Sequence, residues 1–335
     1  MQDFSAAKAI VRNAYQAIAS DHQTRSTTLA QFYSDNILWR GFHPFNELVG
    51  INTVAERFWR PLRTSLKNLQ RREDIFFAGQ NQMDDFESTW VVSMGHLMGL
   101  FDEPFLGFGP TGKMAFLRYC EFNKIVGDKI VETAMYFDIP HLMAQAGSNP
   151  FPPQTAAQLV QPGPMTHDGL LFDSRPEQDG KATLELINAM INVSKMNFNK
   201  GEGGLSLEDE LRQTWAEDMI WWGPTGIGAT YTIERYIKQH CGPFRAGFTE
   251  RSPVGHLARL AEGNYGGFFG WPNFTARPTG GFMGMPEAEK TGEFRIIDIY
   301  RRDGDKLAEN WIFIDLLHFW KGFGVDILER TTREC

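Results

Sequence analysis

The sequence contains few cysteines and no recognisable metal-ligand spacing. Its three cysteines, Cys120, Cys241 and Cys335, form no CxxC pair. An odd number without such a pair argues against a disulfide framework or a zinc knuckle, so we expect reduced thiols. The eight histidines show no HExxH or comparable pattern, which disfavours a metal site. No cofactor is implied.

Long apolar runs and long blocks of one charge are also missing. No stretch approaches the ~18 uncharged apolar residues of a membrane span, and the start, MQDFSAAKAIVRNAY, has no continuous apolar segment typical of an export signal. We therefore expect no membrane contact and, by default, a cytoplasmic protein. The net charge of −8 is not collected in a block, which argues against nucleic acid as a partner.

The chain does have abundant core material, with 42% hydrophobic and 13% aromatic residues. Its 335 residues exceed the ~250 to 300 at which single cores usually stop growing. Two domains are expected.

A long internal repeat supports that expectation. GDKIVETAMYFDIPHL (127–142) and GDKLAENWIFIDLLHF (304–319) share six of sixteen positions at a spacing of 177 (304 minus 127), where chance predicts about one. Further upstream, VGINTVAERFW (49–59) matches IGATYTIERYI (227–237), and SDNILWRG (34–41) resembles AEDMIWWG (216–223). We predict a first domain over 1–147, a Pro-rich linker over 148–180 and a second domain over 181–335.

Each half begins with helical periodicity and continues with strand-like segments. Apolar residues recur at helical spacing in 5–19 and 182–198. β-Branched and aromatic residues, with GD turns between the long runs, indicate antiparallel hairpins over 86–101, 113–126, 129–139, 291–302 and 306–317. Helices followed by strands, without βαβ alternation, predict an α+β fold in which helices cover one face of an antiparallel sheet, with a ligand pocket beneath them.

An acidic residue occupies the same strand position in both halves. Alternation along FRIIDIYR (294–301) places Asp298 on one face with Ile296 and Tyr300, and Glu121 is its counterpart in the first half. A carboxylate on an apolar concave face loses hydration, which raises its pKa toward the range of a general acid or base. The alternative is a surface acid, or one paired with an arginine of a neighbouring strand.

The order of motifs in each half resembles the SnoaL-like polyketide cyclase branch of the nuclear transport factor two superfamily. A Trp strand follows the first helices, and then come an FLG or FMG turn (105–107, 282–284), PTGK (110–113), the acid strand and GDKIVE (127–132). The resemblance implies two tandem cone-shaped domains, each with helices packed on a curved antiparallel sheet. It also implies cofactor-free acid/base chemistry on a small ligand: isomerisation, cyclisation or dehydration α to a carbonyl.

The resemblance assigns the aldol-type acid/base role to Asp298, with Glu121 as its equivalent. The family histidine of a THxGxFxG segment has His96 as its counterpart in the first half, where extra residues precede the turn, and Arg277 with Pro278 stands in its place in the second. The candidate catalytic set is therefore Asp298, Glu121 and His96. The candidate substrate-binding set is Trp39, Arg40, His43, Trp222, Trp271, Arg277, Tyr300 and Trp311.

Two other functions stay open. One is a non-catalytic small-molecule-binding module. The other is a cofactor-free epoxide or ester hydrolase, which needs an arginine at the acid. Arg118 and Arg295 lie three residues from Glu121 and Asp298 and therefore project from the opposite face of each strand, so that arginine must come from another strand.

Asp138 and Asp315 end the last strand of each half, before short helical tails that include His141 and His318. Helix capping is the favoured role for these two aspartates. For assembly, we expect the halves to form an intrachain pseudo-dimer, and a homodimer is a further expectation. The one partner expected for the pocket is a small-molecule substrate.

Overall fold

The structure, a computed structural model, describes residues 3–197 and 204–333. Residues 1–2, 198–203 and 334–335, which belong to the predicted domains and include the end of the predicted helix 182–198 and Cys335, lie outside the described residues. Within the described part, one compact unit comprises 3–150, 162–174 and 324–333, and the other comprises 151–161 and 175–323. We call them the amino-terminal and carboxy-terminal units. The predicted linker 148–180 is thus divided between them, and its last residues open a helix at Glu177.

The amino-terminal unit is built from helices over a six-stranded sheet. Buried Val11, Ala14 and Ile18 follow helical spacing along the first helix, as the sequence periodicity predicts. A π-helical turn, Ala55–Trp59, joins two short helices. The elements are α1 (Ser5–Ser20), α2 (Ser26–Leu29), β1 (Tyr33–Gly41), β2 (Asn46–Val49), α3 (Ile51–Val54), α4 (Arg60–Ser65), β3 (Leu66–Gln80), β4 (Thr89–Phe101), β5 (Met114–Val126), β6 (Lys129–Phe137) and α5 (Ile139–Gln145).

The carboxy-terminal unit follows the same plan with shorter strands. Its π-helical turn, Ile237–Cys241, again lies between two short helices. The elements are α6 (Glu177–Asn197), α7 (Leu207–Arg212), β7 (Trp215–Trp222), β8 (Ala229–Tyr231), α8 (Ile233–Tyr236), α9 (Gly242–Gly247), β9 (Phe248–Pro253), β10 (Ala258–Glu262), β11 (Tyr265–Phe269), β12 (Phe274–Pro278), β13 (Gly292–Phe294), β14 (Ile296–Asp303), β15 (Lys306–Ile314) and α10 (Leu316–Lys321). The final helix, α11 (Ile327–Arg333), belongs to the amino-terminal unit.

The strand orders of the two large sheets are equivalent. The amino-terminal sheet runs β2-β1-β6-β5-β4-β3, and the carboxy-terminal sheet, read from its other edge, runs β8-β7-β15-β14-β11-β10. In each, the first strand pairs in parallel with the last (β1 with β6, β7 with β15), and the other pairs are antiparallel. The predicted α+β class, with helices on a largely antiparallel sheet, is therefore confirmed in both units.

The carboxy-terminal sheet differs from the amino-terminal one in being interrupted. The predicted continuous strand 291–302 is broken at Arg295, because β13 ends at Phe294 and β14 begins at Ile296. The outer pieces β13, β12 and β9 form a separate three-stranded sheet. Residues 254–257 connect β9 of this separate sheet to β10 of the large sheet.

No helix in the described ranges combines the length and the hydropathy that crossing a membrane requires.

Candidate active site

Asp298 lies on the helix-covered face of the carboxy-terminal sheet. The register places it opposite Ile312 on β15 and Phe268 on β11. Tyr300 lies two residues farther along β14, opposite Asn310. Because alternate residues share one face of a strand, these five side chains project to the same side.

These side chains line a cavity of about 450 Å³ beneath the helices. The volume falls within the ~300 to 1,000 Å³ of small-molecule sites. Apolar side chains form much of the wall, including Ile191, Leu211, Trp215, Trp221, Phe274 and Ile314.

Burial controls the chemistry of Asp298, whose residue is 7% exposed. Burial raises the pKa of its carboxyl to about 7, and hydrogen bonds from Asn310 and Tyr300 act in the opposite direction. The Asn310 Nδ2 donates to Asp298 Oδ1 at 3.0 Å and to the Ile299 carbonyl at 3.0 Å, which fixes the amide beside the carboxyl. A carboxyl that titrates near neutral pH can both accept and return a proton.

The π-helical turn adds His240 to the cavity wall. Its imidazole stacks on Trp221 with ring centroids 3.9 Å apart and an interplanar angle of 17°. Burial lowers the pKa of His240 to about 3, so the ring is neutral at ordinary pH. π-Helical turns often occur at functional sites because they displace side chains from regular helical positions.

Charged side chains occupy another part of the wall. Glu210 of α7 forms an ion pair with Arg245 of α9. Arg251 of β9 also lines the cavity, and burial together with the neighbouring Arg245 lowers the pKa of Arg251 to about 9. Burial raises the pKa of the Cys241 thiol to about 11, so the thiol is protonated at neutral pH. The cavity therefore combines an apolar interior with a few buried polar groups.

Two of the predicted residues, Asp298 and Tyr300, lie together in this cavity. The three predicted tryptophans of that half, Trp222, Trp271 and Trp311, are not part of the cavity wall. Trp222 follows the cavity-lining Trp221 and projects from the opposite face of β7, and Trp311 likewise projects away from the cavity between Asn310 and Ile312. The prediction that Trp222 and Trp311 bind substrate is therefore corrected, because strand alternation turns both side chains away from the cavity.

Trp271 and Arg277 also lie outside the cavity wall as the structure describes it. The Trp271 ring lies under the Arg295 guanidinium, with 3.8 Å from Arg295 Cζ to the ring centroid. Arg277 forms ion pairs with Glu250 at 2.8 Å and Glu287 at 3.8 Å. Arg277 lies on β12 of the separate three-stranded sheet, and Trp271 lies on the connection between β11 and β12. The repeat between the two halves does not predict this separate sheet.

The equivalent acid of the amino-terminal unit lies in a filled interior. Glu121 is 1% exposed, and its carboxylate accepts a hydrogen bond from Arg71 Nη1 at 2.7 Å. The Arg71 guanidinium lies over the rings of Tyr15 and Tyr119, with Cζ 3.7 and 4.5 Å from the centroids. The space beside Glu121 measures about 10 Å³, which is about the volume needed for one water molecule.

His96 does not assist Glu121. Ser93 is the β4 residue opposite Glu121, whereas His96 is opposite Arg118. Three residues of separation place His96 on the other face of the sheet, where its Nδ1 lies 3.4 Å from Asp74 Oδ2. The placement of His96 in one catalytic set with Glu121 is corrected for this reason.

The predicted rim residues of the first half have structural partners. Trp39 packs against Phe58, with ring centroids 4.7 Å apart, and borders the small space beside Glu121. Arg40 forms ion pairs with Glu47 at 3.0 Å and with Glu132. His43 is buried. The space that Trp39 borders, about 10 Å³, is too small for the ligand pocket predicted at these residues.

Arg295 projects to the face opposite that of Asp298, as strand alternation predicts. Arg295 Nη1 lies 4.0 Å from Asp315 Oδ2, on the face away from Asp298. An arginine does reach Glu121 from another strand, since Arg71 belongs to β3. That contact meets one requirement of the hydrolase hypothesis, but the adjoining space is too small for a substrate.

The predicted capping role of two aspartates is confirmed. Asp138 accepts a hydrogen bond from the His141 backbone N–H at 3.0 Å, and Asp315 accepts one from the His318 backbone N–H at 3.1 Å. Among the residues described, no group of three or more His, Cys, Asp or Glu side chains could hold a metal ion.

Sequence reasoning missed most of the cavity wall. Asn310 was missed because the simple register of the two-residue turn at Gly304 would pair Tyr300 with Glu309, and a β-bulge between Arg301 and Arg302 shifts the partner to Asn310. Other missed residues come from helices, from a loop and from the strand β9, which only tertiary packing brings to Asp298: Glu210, Tyr236, His240, Arg251 and His256.

No protein-family model matches the sequence, and no curated protein matches it. Solved structures do match. A protein from Jannaschia sp. CCS1, provisionally assigned as a SnoaL-like polyketide cyclase, is 16% identical over 45% of this chain and 95% of its own, with a TM-score of 0.36. An NTF2-like protein from Anabaena variabilis is 16% identical over 40% of this chain and 89% of its own, with a TM-score of 0.31.

IdmH from Streptomyces antibioticus, provisionally assigned as a polyketide cyclase, is 18% identical over 41% of this chain and 98% of its own, with a TM-score of 0.31. Each of these matches covers less than half of this chain.

Proposed function

We propose that the carboxy-terminal unit is a cofactor-independent acid/base enzyme that moves a proton α to the carbonyl of a small, largely apolar ligand. The observation that carries this proposal is the position of Asp298, a buried carboxyl with a pKa of about 7 on the wall of a cavity of about 450 Å³. Isomerisation, cyclisation and dehydration all begin with this step.

Asp298 would act first as the base and then as the acid. Its carboxylate removes the α proton, and the resulting carboxylic acid returns a proton to the same or another carbon. Asn310 holds the carboxyl in place, and the apolar wall excludes water from the enolate. A positioned general acid or base typically contributes about 10²- to 10⁴-fold to the rate.

We propose a structural role for the amino-terminal unit. Its equivalent carboxylate, Glu121, forms an ion pair with Arg71, and the adjoining space of about 10 Å³ leaves no room for a ligand. The same geometry is the reason we do not propose an epoxide or ester hydrolase at Glu121. The intrachain pseudo-dimer and the homodimer stay predictions.

The proposal is tested with 2-tetralone, a ketone with acidic α protons, in D₂O. Exchange of its α protons is followed by NMR with the wild-type protein, Asp298→Asn, and the matched control Asp305→Asn, which changes an exposed aspartate of the β14–β15 turn. We expect catalysed exchange to fall by about 10²- to 10⁴-fold in Asp298→Asn and to be unchanged in the control.

Wild-type exchange no faster than buffer, or full exchange by Asp298→Asn, would contradict the proposal. A thermal shift with 2-tetralone, measured on the same samples, then identifies the alternative. Stabilisation without exchange favours a binding module, because a ligand that binds the folded state alone raises its stability.

A further inference from the structure

His256 contacts Phe268, the residue that stands opposite Asp298 on the neighbouring strand. Arg259, Phe268 and Asp298 stand directly opposite one another on β10, β11 and β14. Directly opposed residues on neighbouring strands have Cβ atoms about 4.5 to 5.5 Å apart. The His256 imidazole stacks on the middle member of this row, with centroids 3.9 Å apart from the Phe268 ring and an interplanar angle of 12°. His256 also lines the same cavity as Asp298.

The backbone around His256 is anchored on both sides. The Val254 and Gly255 N–H groups donate to the Asn273 carbonyl at 2.9 and 3.0 Å, and the Leu257 N–H donates to the Phe269 carbonyl at 2.8 Å. The segment between β9 and β10 is therefore tied to the sheet, so the imidazole has a defined position before any ligand binds.

Arg259 fixes which nitrogen of His256 carries the proton. Its guanidinium approaches His256 Nδ1 from Nε at 3.2 Å and from Nη2 at 3.0 Å. A guanidinium can only donate, so Nδ1 must be an acceptor, and the neutral ring carries its proton on Nε2. Arg259 is itself held by Asn188 of α6, whose Oδ1 accepts from Nη1 at 2.6 Å.

The charge state agrees with this tautomer. Burial lowers the pKa of His256 to about 3, and the positive charges of Arg259 and Lys195 add to the effect. The ring is then neutral across the pH range in which Asp298 titrates. A neutral N–H in a buried site is an effective donor to an oxygen on which negative charge develops.

We propose that His256 is the electrophilic partner of Asp298, donating its Nε2–H to the carbonyl oxygen of a neutral ketone or enone substrate; this inference rests on the proposed function. The Asp298 carboxylate accepts the α proton, the C–H electron pair forms the C=C bond, and the carbonyl π pair moves to oxygen. The His256 hydrogen bond stabilises that enolate oxygen, and His256 keeps its proton. Asp298 then returns the proton to carbon. Arg259 is a positioning residue that acts through His256.

The test uses 2-tetralone exchange together with binding of 2-naphthol, a planar analogue of its enol. His256→Leu removes the donor, His256→Gln keeps an N–H near the Nε2 position, and His22→Leu, at an exposed site of the amino-terminal unit, is the matched control. We expect His256→Leu to lower kcat about 10²- to 10³-fold, in line with loss of one oxyanion donor. It should weaken 2-naphthol binding more than 2-tetralone binding, and His256→Gln should restore part of both.

Arg259→Met tests the positioning role, with Arg277→Met as its control. The ¹⁵N spectrum of the wild-type His256 imidazole should show a proton on Nε2 and none on Nδ1. In Arg259→Met the proton should be shared between the two nitrogens, as a mixture of the two neutral tautomers. A wild-type spectrum with the proton on Nδ1 overturns the inference whether or not any variant folds. Full exchange by folded His256→Leu, with Asp298→Asn inactive, overturns this inference and leaves the proposed function standing. Full exchange by Asp298→Asn contradicts the proposed function and, with it, this inference.

Discussion

The two units have equivalent strand orders and a carboxylate at the same strand position, but one interior is filled and the other is hollow. In the amino-terminal unit, Glu121 is bound to Arg71 beside a space of about 10 Å³. In the carboxy-terminal unit, Asp298 borders a cavity of about 450 Å³ and has the neutral partners Asn310 and Tyr300. The topology is shared, and the side chains around the acid decide whether a ligand can reach it.

One difference between the units lies at an equivalent position of the acid strand. Tyr119 stands where Ile296 stands 177 residues later, and its ring helps to enclose the Arg71 guanidinium. The amino-terminal strands also run without the break that separates β13 from β14. Function therefore resides in the site and not in the fold that carries it.

The largest expected contrast concerns stability. Glu121→Gln leaves the buried Arg71 without its carboxylate, and breaking a buried ion pair typically costs about 3 to 5 kcal/mol. Asp298→Asn replaces a buried carboxyl by a neutral side chain of the same shape, so its free energy of unfolding at pH 8 should be unchanged or higher. Urea unfolding monitored at both units measures the contrast. Equal losses in the two variants would show that the acids have similar environments.

The pH dependence of stability should isolate Asp298. Its pKa is about 7 in the folded chain against an ordinary value of 3.8, so its stabilising contribution is complete below about pH 3.8 and is lost as the pH rises through 7. Between pH 5 and pH 8 the free energy of unfolding of the wild type should fall by roughly 3 kcal/mol relative to Asp298→Asn. Parallel pH profiles for the two proteins would mean that Asp298 titrates normally.

Ile296→Tyr copies the residue of the filled unit into the hollow one. The phenol should occupy part of the cavity and raise the Kd of 2-tetralone at least about tenfold, at a stability cost of about 1 to 3 kcal/mol for overpacking. Ile296→Leu is the conservative control. Calorimetric titration of both variants checks the result, and undiminished binding by Ile296→Tyr would place the ligand elsewhere.

The smallest effects should be those of the shared caps. Asp138→Ala and Asp315→Ala each remove the acceptor for a helix N-terminal N–H, and loss of such a cap typically costs about 1 kcal/mol. Asn at either position keeps the acceptor and should recover most of the loss in a thermal melt. A large difference between the two alanine variants would show that the caps are not equivalent.

Much of the fold was predictable because local patterns and long-range packing agree. The 16-residue repeat identified corresponding hairpins, and strand alternation placed Asp298 and Tyr300 on one face. The register across each hairpin was not predictable, because a β-bulge shifts it. The break at Arg295 was not predictable, because the strand-like run IIDIY (296–300) follows this residue directly. His96 was misassigned because a family motif was followed in place of strand alternation.

The sequence by itself determined the α+β class, the equivalent arrangement of the two halves and the face on which each acid lies, because periodicity and turn chemistry are local properties. Only the tertiary structure decided which acid borders a cavity and which residues surround it. Arg71 reaches Glu121 from another strand, His256 lines the cavity of Asp298 from the segment between β9 and β10, and desolvation depends on how completely distant side chains fill the space. Such filling is a property of three-dimensional packing, which no short stretch of sequence encodes.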